Sequence, residues 1–415
     1  MQDVLLLDLV IGVSSALDHI STTVTGHHRR VGIATAIMAG EMGLDKQDAT
    51  DLIIAGLLHD IGAFSMALRL DGMDFDADLT EHSSLGYRLL RGHHLLERPS
   101  HLIRDHHTTW QTLQSRNGDD KPKTDLLANV INLMDRVDIL NKVGTSVFAW
   151  QHVRSVIGNY SKSLYAPQAV EAFLDASIGS EFREKMEDTE TPIRSLLSCN
   201  FEDVEIPEEQ LLEFSTFFSH IIDFRSRHTA THSIGVAETA VEIARLAGMS
   251  AEDQNRMRLA GNLHDIGKLA VPTKLLDKPG ALGKDEYSSV QLHATVCEKV
   301  LSSIPGLGSV THWACQHHER LNGKGYPNGL TAEHLSLGSR IMMVADVCTA
   351  IAEDRPYRKG MDKEQVFEVL MSMARKGFLD KDLVTLTIDN YEHIDAVRRF
   401  AQTKALINFR RFNIA

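Results

Sequence analysis

At 415 residues the chain exceeds what one hydrophobic core usually supports, so two domains of about 200 residues each are expected. Hydrophobic residues at 43% and charged residues at 24% are ordinary for a folded globular protein and argue against wholesale disorder. The net charge of −13 argues against a long nucleic acid as partner, because phosphate-backbone binding needs clustered Lys and Arg. A small anionic substrate stays open, since metal ions and a few arginines reverse the potential inside a cleft.

In chain order, the segment from Met1 to Ile20 is apolar but interrupted by Asp3 and Asp8. It lacks a basic n-region and a small-residue cleavage site, and reads as an amphipathic helix rather than a signal peptide. No apolar run approaches the roughly 20 residues that span a bilayer, so a cytoplasmic protein without membrane insertion is expected. The four cysteines, Cys199, Cys297, Cys315 and Cys348, form no C-x-x-C pair, which fits a reducing compartment and indicates neither a zinc ribbon nor a disulfide framework.

The first half then presents His27, a Gly43-Leu44-Asp45 turn with Asp48 three residues after the cap, and the pair His59-Asp60. That pattern is a helix stop followed by a helix start. His82, the pair His106-His107, and Asp135 follow. From about 145 to 210, Pro167, Pro192 and Pro207 and the acidic run Glu187-Asp188-Thr189-Glu190 read as a solvated connecting stretch, with the domain boundary near 195 to 210.

The second half repeats the first. His232 precedes His264-Asp265 by 32 residues, as His27 precedes His59-Asp60, and Gly248-Met249-Ser250 with Asp253 matches the turn at 43–48. His293 precedes His317-His318 by 24, and Asp346 lies 29 after His317, the spacings of His82, His106 and Asp135. The offset between halves is 205 up to the HD pair and 211 beyond it, so one six-residue length change accounts for the alignment. It falls in the Pro- and Gly-punctuated segment 271–283, read as a loop where insertion costs little. Runs such as Val236 to Leu246 and Val366 to Ala374 place apolar residues at three- and four-residue steps, and alternating β patterns are scarce. The predicted fold is all-α, two tandem helical bundles: a first domain 1–195, a linker helix region 196–218 and a second domain 219–415.

Seven imidazole and carboxylate donors in each half exceed what one ion needs. In the second half His232, His264, Asp265, His293, His317, His318 and Asp346 are candidates to hold two ions about 3.5 to 4 Å apart with a shared carboxylate and an activated water. Nitrogen and oxygen donors without thiolate suit Fe, Mn, Zn or Co. A histidine in a helix is more often a surface or satisfied core residue, but packing explains two matching sets poorly.

The segments RHTATHSIGV, LHDIGKLAVPTKLLDKPGALGKDE, HHERLNGKGYP and IMMVADVCTAIAEDRPYR resemble the HD-GYP phosphodiesterase family of the HD superfamily, across roughly residues 220 to 395. The resemblance implies hydrolysis of cyclic di-GMP to pGpG and GMP at two or three divalent ions, Fe or Mn, in the C-terminal domain, with a cyclic GMP-AMP substrate or a non-catalytic receptor as alternatives. It makes the seven donors metal ligands, with Asp265 bridging and catalytic and Lys268 a contact to the scissile phosphate. Arg320, Arg355 and Arg358 become phosphate or guanine contacts, because guanidinium donates bidentately, and Gly325, Tyr326 and Pro327 form a substrate loop. His228, four residues before His232, stands where members with a third metal have Glu, and is a further candidate ligand.

In the first half His27, His59, Asp60, His82, His106, His107 and Asp135 keep all seven donor types. Ala63, however, stands in the place of Lys268, and Thr108-Thr109-Trp110 follows the histidine pair in place of a GYP loop. A degenerate HD domain that binds a metal or nucleotide and regulates its neighbour is one expectation, and a packing or dimerisation platform the other. Regulation through a homodimer or a separate signalling partner fits either.

Overall fold

The computed structural model describes residues 4–18, 25–63, 80–116, 122–142, 147–197, 199–224, 231–278, 280–354 and 359–414. Their regular structure is almost entirely helical; the only strands among them are Val4–Leu5 and Glu205–Ile206, two residues each. The chain divides into two compact units, Leu5–Val204 and Glu205–Ala415, the latter taking in Val4.

The opening segment forms the helix Leu6–Leu17, buried along most of its length, with Asp8 held 3.1 Å from Arg194. The duplicated pattern becomes duplicated geometry. His27–Glu41 and Lys46–Leu58 in the first unit correspond residue for residue, at an offset of 205, to His232–Leu246 and Ala251–Leu263 in the second. Each first helix ends at a glycine, Gly43 or Gly248, with φ of 60° or 80°, a conformation glycine adopts without steric cost. Each second helix starts at a side-chain cap: the Asp48 amide donates to the Asp45 carboxylate and the Asp253 amide to the Ser250 hydroxyl, at 2.9 and 3.1 Å.

The other helices that carry or lead into candidate donors are Thr80–Leu90, Glu97–Asp105 and Pro122–Lys142 in the first unit, and Lys284–Ser302, Ser309–Cys315 and Leu337–Ala352 in the second. A backbone crossing recurs beside each HD pair. A Cβ on Gly62 would lie 2.0 Å from the His82 carbonyl oxygen, and one on Gly267 would lie 1.9 Å from that of His293. Only glycine lets the turn after the HD pair lie against the helix that carries the next histidine.

Two sequence expectations are corrected. Much of the stretch from 145 to 210 is packed structure, with helices Val147–Asn159, Pro167–Ala176 and Glu181–Glu187 completing the first unit. Trp150, Phe173 and Phe182 interlock there, with ring centroids 5.6 to 6.1 Å apart. Three aromatic side chains sequester more apolar surface than the acidic run between Glu187 and Glu190 can offset, and Pro167 starts a helix where its missing N–H is harmless. The region 196–218 likewise includes most of the helix Glu208–Phe224, which belongs to the second unit. Asn262 donates to Ser215 and Thr216 on it, at 2.9 and 3.1 Å, and Phe214 and Phe218 are buried. The segment 271–283 contains a single helical turn, Thr273–Leu276. Its shorter counterpart in the first half lies outside the described residues.

Candidate metal centre

In the second unit, His232 is the first residue of its helix, His264 the C-cap of the next, and Asp265 the residue after it. His293 sits in Lys284–Ser302, His317 and His318 follow Ser309–Cys315, and Asp346 lies in Leu337–Ala352. All seven side chains converge. His232, His264 and Asp346 form one group of donor atoms within 4.8 Å of one another, and His293, His317 and His318 form a second. Asp265 faces both: its Oδ2 is 3.1 Å from His264 Nε2 and 4.0 Å from His232 Nε2, while its Oδ1 is 3.7 Å from His293 Nε2. Six of the seven are under 9% exposed, and His318, with 29% of its side chain accessible, marks the open side.

The ring orientations of His264 and His317 follow from helix termination, and His293 makes the same contact inside its helix. The last carbonyls of a helix lack intrahelical partners, and an imidazole nearby can donate to them. His264 Nδ1 donates to Gly261 O at 2.7 Å, His317 Nδ1 to Ala314 O at 2.6 Å, and His293 Nδ1 to Val290 O at 2.6 Å. With the proton fixed on Nδ1, each Nε2 presents a lone pair inward, the arrangement of a metal-ligating histidine with an outer partner. His293 Nε2 and His317 Nε2 therefore face each other at 3.4 Å with lone pairs opposed. His264 Nε2 is fully buried and lacks a well-directed hydrogen bond, though Asp265 Oδ2 is close. The opposed lone pairs of His293 and His317 are unfavourable unless a cation lies between them, and the donor set accordingly fits divalent ions.

The electrostatics divide the site into two poles. Burial opposes charge on His232, but Glu353 and Asp346 outweigh it and raise the pKa to about 10. Asp265 likewise raises His264 against burial. At the other pole burial, reinforced by His318 and His264, drives His317 well below the usual imidazole range. His318 is pushed down to about 3 by burial, which Asp346 only partly offsets. Asp265 stays ionised despite its burial, held well below the carboxylate range by His264 and Lys268. At one pole carboxylates favour the protonated imidazole, and the other offers neutral nitrogen donors.

Lys268 Nζ lies 2.5 Å from Asp265 Oδ2 with a fifth of its side chain exposed, so it stands between the shared carboxylate and solvent. The GYP loop comes to the same rim: the Tyr326 ring lies 4.7 Å from the His318 ring, and the Tyr326 amide donates to His318 O. Gly325 is required because a Cβ there would meet Glu319 Cα and Arg320 N at 2.4 Å. Pro327 follows in the same loop. Arg320 stacks on Phe378, its guanidinium 4.2 Å from the ring centroid. Arg355, Arg358 and the third-metal candidate His228 lie outside the described residues.

Several supporting groups went unread in the sequence. Glu353 Oε1 lies 3.1 Å from His232 Nδ1 and is oriented by Gln402 Nε2, 3.2 Å from Oε2. Its signal was available, since Glu353 follows Asp346 by seven residues, two turns along one helix face. Glu319, 2% exposed, accepts from the Asn328 and Leu330 amides at 2.7 and 2.9 Å and ties down the loop after the histidine pair. The glycine of H-D-I-G, present in both halves, was visible but given no role. Cys297 and Cys315, distant in sequence, meet with sulfurs 3.2 Å apart in the core behind His293 and His317.

The donors of the first unit are arranged in the same way. His27, His59 and Asp135 form one group, and Asp60, His82, His106 and His107 another. The outer partner of His27 is Asp138, whose Oδ2 lies 2.7 Å from Nδ1 and which also pairs with Arg30. Burial lowers the His27 pKa, but Asp135 and Asp138 overcome it and raise it to about 10. Burial and its neighbouring imidazoles drive His106 well below the normal range, and His107 is pushed down to about 3.

Comparison with known proteins adds to this geometry. The HD domain family matches the chain twice, over residues 24–140 and 216–383. The 3′3′-cGAMP-specific phosphodiesterase 1 of Vibrio cholerae is 30% identical over 391 residues, covering 91% of this chain and 90% of that protein. A cyclic di-GMP phosphodiesterase of Pseudomonas aeruginosa is 40% identical over 134 residues, 32% of each chain. Among solved structures, a cyclic GMP-AMP-specific phosphodiesterase of V. cholerae shares the fold, with a TM-score of 0.66 and 22% identity over 95% of this chain and 98% of that one.

Proposed function

The chain belongs to the HD-GYP type of HD-domain phosphodiesterases, and from that premise we propose that it hydrolyses 3′,3′-cyclic GMP-AMP at the donor cluster of its second unit. The observation that carries the substrate choice is length of match: the 3′3′-cGAMP-specific relative corresponds to this chain across both HD units, whereas the cyclic di-GMP phosphodiesterase from P. aeruginosa corresponds over about a third. The sequence expectation ranked these substrates the other way, because the HD-GYP motifs are common to both activities. The two dinucleotides differ in a few exocyclic groups on one base, and a buried partner left unpaired by the wrong base is enough to discriminate.

His232, His264 and Asp346 would hold one divalent ion, His293, His317 and His318 another, and Asp265 would be shared between them. When bound, such ions supply Lewis acidity to a phosphoryl oxygen and nucleophilic water at neutral pH. Oxygen and nitrogen donors without thiolate suit Fe, Mn, Zn or Co, and the family resemblance narrows these to Fe or Mn. The chain's own residues do the rest. Lys268 neutralises Asp265 in the resting site and sits where its ammonium can turn to a phosphoryl oxygen as negative charge develops there. Tyr326 walls the open side next to His318 and gives a base an aromatic surface. Gly325 and Glu319 fix that wall, the first by allowing close approach and the second by accepting two loop amides.

The test is turnover of cyclic GMP-AMP and cyclic di-GMP by the full chain loaded with Mn²⁺ or Fe²⁺. The expected result is a kcat/KM at least about tenfold higher for cyclic GMP-AMP, a difference of about 1.4 kcal/mol in transition-state binding. Equal or faster cleavage of cyclic di-GMP overturns the substrate choice. Binding of either nucleotide without turnover by metal-loaded protein overturns the enzyme reading and leaves a receptor.

A further inference from the structure

We propose that Gln402 is a positioning residue of the second unit's site, holding Glu353 against His232 from a helix that carries none of the seven donors. The inference deepens the reading of that cluster as the reaction centre and rests on it. Gln402 lies in Tyr391–Ile414, beyond the segment 216–383 that matches the HD domain family. Its amide nitrogen donates to Glu353 Oε2 and to Thr231 O, each at 3.2 Å. One group thus holds both the carboxylate beside His232 Nδ1 and the carbonyl of the residue before His232. The Gln402 oxygen accepts from Arg398 Nη1 at 2.6 Å, which fixes the amide's orientation because a guanidinium only donates. Arg398 is itself 4% exposed and is held by Asp395 Oδ1, 2.5 Å from Nη2 and 3.1 Å from Nε. A buried, charge-assisted pair anchors the far end of this series of contacts.

The first unit shows what Gln402 replaces. There Arg30, three residues after His27 on the same helix, donates to Asp138 from Nε and Nη2 at 2.5 and 3.2 Å. At the offset of 205 the counterpart of Arg30 is Gly235, and at the offset of 211 that of Asp138 is Thr349. Glycine has no side chain to donate, and Thr349 meets the Thr239 hydroxyl at 3.2 Å. Both members of the first unit's pair are therefore missing from their own places in the second, and Glu353 and Gln402 stand in for them from further along the chain. The exchange is steric as well as chemical. A Cβ on Gly235 would lie 2.5 Å from Gln402 Nε2 and 2.9 Å from its Cδ, so the position that lacks the arginine is also the one that leaves room for the glutamine. An amide orients the carboxylate without setting a positive charge against it, as Arg30 does against Asp138.

The test reads ion affinity as well as turnover, in the full chain. The Mn²⁺ that Asp265→Ala removes, followed by competition with a chelating dye, should bind about tenfold more weakly in Gln402→Met, which keeps the side chain's length and loses its hydrogen bonds. Gly235→Ala should weaken binding in the same direction with Gln402 intact, since the amide end can swing away from the new methyl and the fold is kept. Because Gln402 acts through Glu353, Gln402→Met should change the affinity by less than about twofold once Glu353→Gln is present. In turnover of cyclic GMP-AMP at saturating Mn²⁺ the loss should fall on kcat, by about three- to tenfold, with KM within about twofold. Full additivity of Gln402→Met and Glu353→Gln, or a raised KM with unchanged kcat, overturns the proposal. So does Asp265-dependent Mn²⁺ whose affinity neither Gln402→Met nor Gly235→Ala alters. A chain that binds no Asp265-dependent Mn²⁺ overturns the reading of the cluster and this inference with it.

Discussion

The two units of this chain build the same ligand frame and then diverge immediately beside it. In both, a histidine starts one helix, another caps the next, an aspartate follows, and a histidine pair closes the far side. What differs is the layer facing substrate. Lys268 stands beside the shared aspartate in the second unit, and buried Ala63 takes its place in the first. After the histidine pair the second unit continues into a loop pinned by Glu319, while in the first Thr109 caps the short helix Trp110–Ser115. Even the outer carboxylate has moved: Asp138 follows Asp135 by three residues, and Glu353 follows Asp346 by seven. The donor frame and the groups beside it are therefore separable, one written into the helices and the other into a side chain and a loop.

The largest expected effect breaks the symmetry at its centre. Asp265→Ala should lower cyclic dinucleotide turnover by at least about 10³-fold, because both donor groups of that unit lose their common carboxylate. Steady-state kinetics with saturating Mn²⁺ would check it, and turnover within tenfold of wild type would contradict the assignment. Next, Lys268→Ala should reduce kcat by about 10² to 10³-fold while bound metal stays within twofold, separating charge stabilisation from ion retention. Loss of metal alongside rate would make the lysine a positioning group instead.

Gly62→Ala and Gly267→Ala should sharpen the comparison by behaving alike. Each Cβ would meet a backbone carbonyl at about 2 Å, which cannot swing away, so each should destabilise its unit by about 1–3 kcal/mol or more in urea denaturation. A neutral outcome in either would mean that the turn after the HD pair adjusts freely. The smallest effects belong to the outer carboxylates. Glu353→Gln and Asp138→Asn should each weaken Mn²⁺ binding in their own unit by about 10- to 100-fold, measured by competition with a chelating dye. Unchanged affinity in both would show that the imidazole orientation does not depend on them.

The helical fold, the repeat and the convergence of the fourteen side chains were legible because both halves keep the same residue types at spacings fixed by helix length. The three packed helices between 147 and 187 were not, since prolines and an acidic run outweigh scattered aromatics in a linear reading although Trp150, Phe173 and Phe182 meet in space. Glu353 and Asp138 escaped notice for a different reason. An outer carboxylate has no fixed sequence distance from the histidine it orients, and the two units place it one and two turns along the helix. Arg320, a candidate phosphate contact by residue type, stacks on Phe378, a partner 58 positions away that no local pattern reveals.

Because His59, His106, His264 and His317 are tethered to carbonyls three residues behind them, each donor's direction is set by the phase of its own helix. Inserting or deleting one residue upstream within such a helix would swing the ring by about 100° and carry it out of the cluster. Substitutions can accumulate along these helices, but changes in length are confined to the segments between them. The one register shift separating the two copies lies in such a segment, between the HD turn and the helix bearing the next histidine, and gene variants that lengthen or shorten the chain should be tolerated there and scarcely elsewhere.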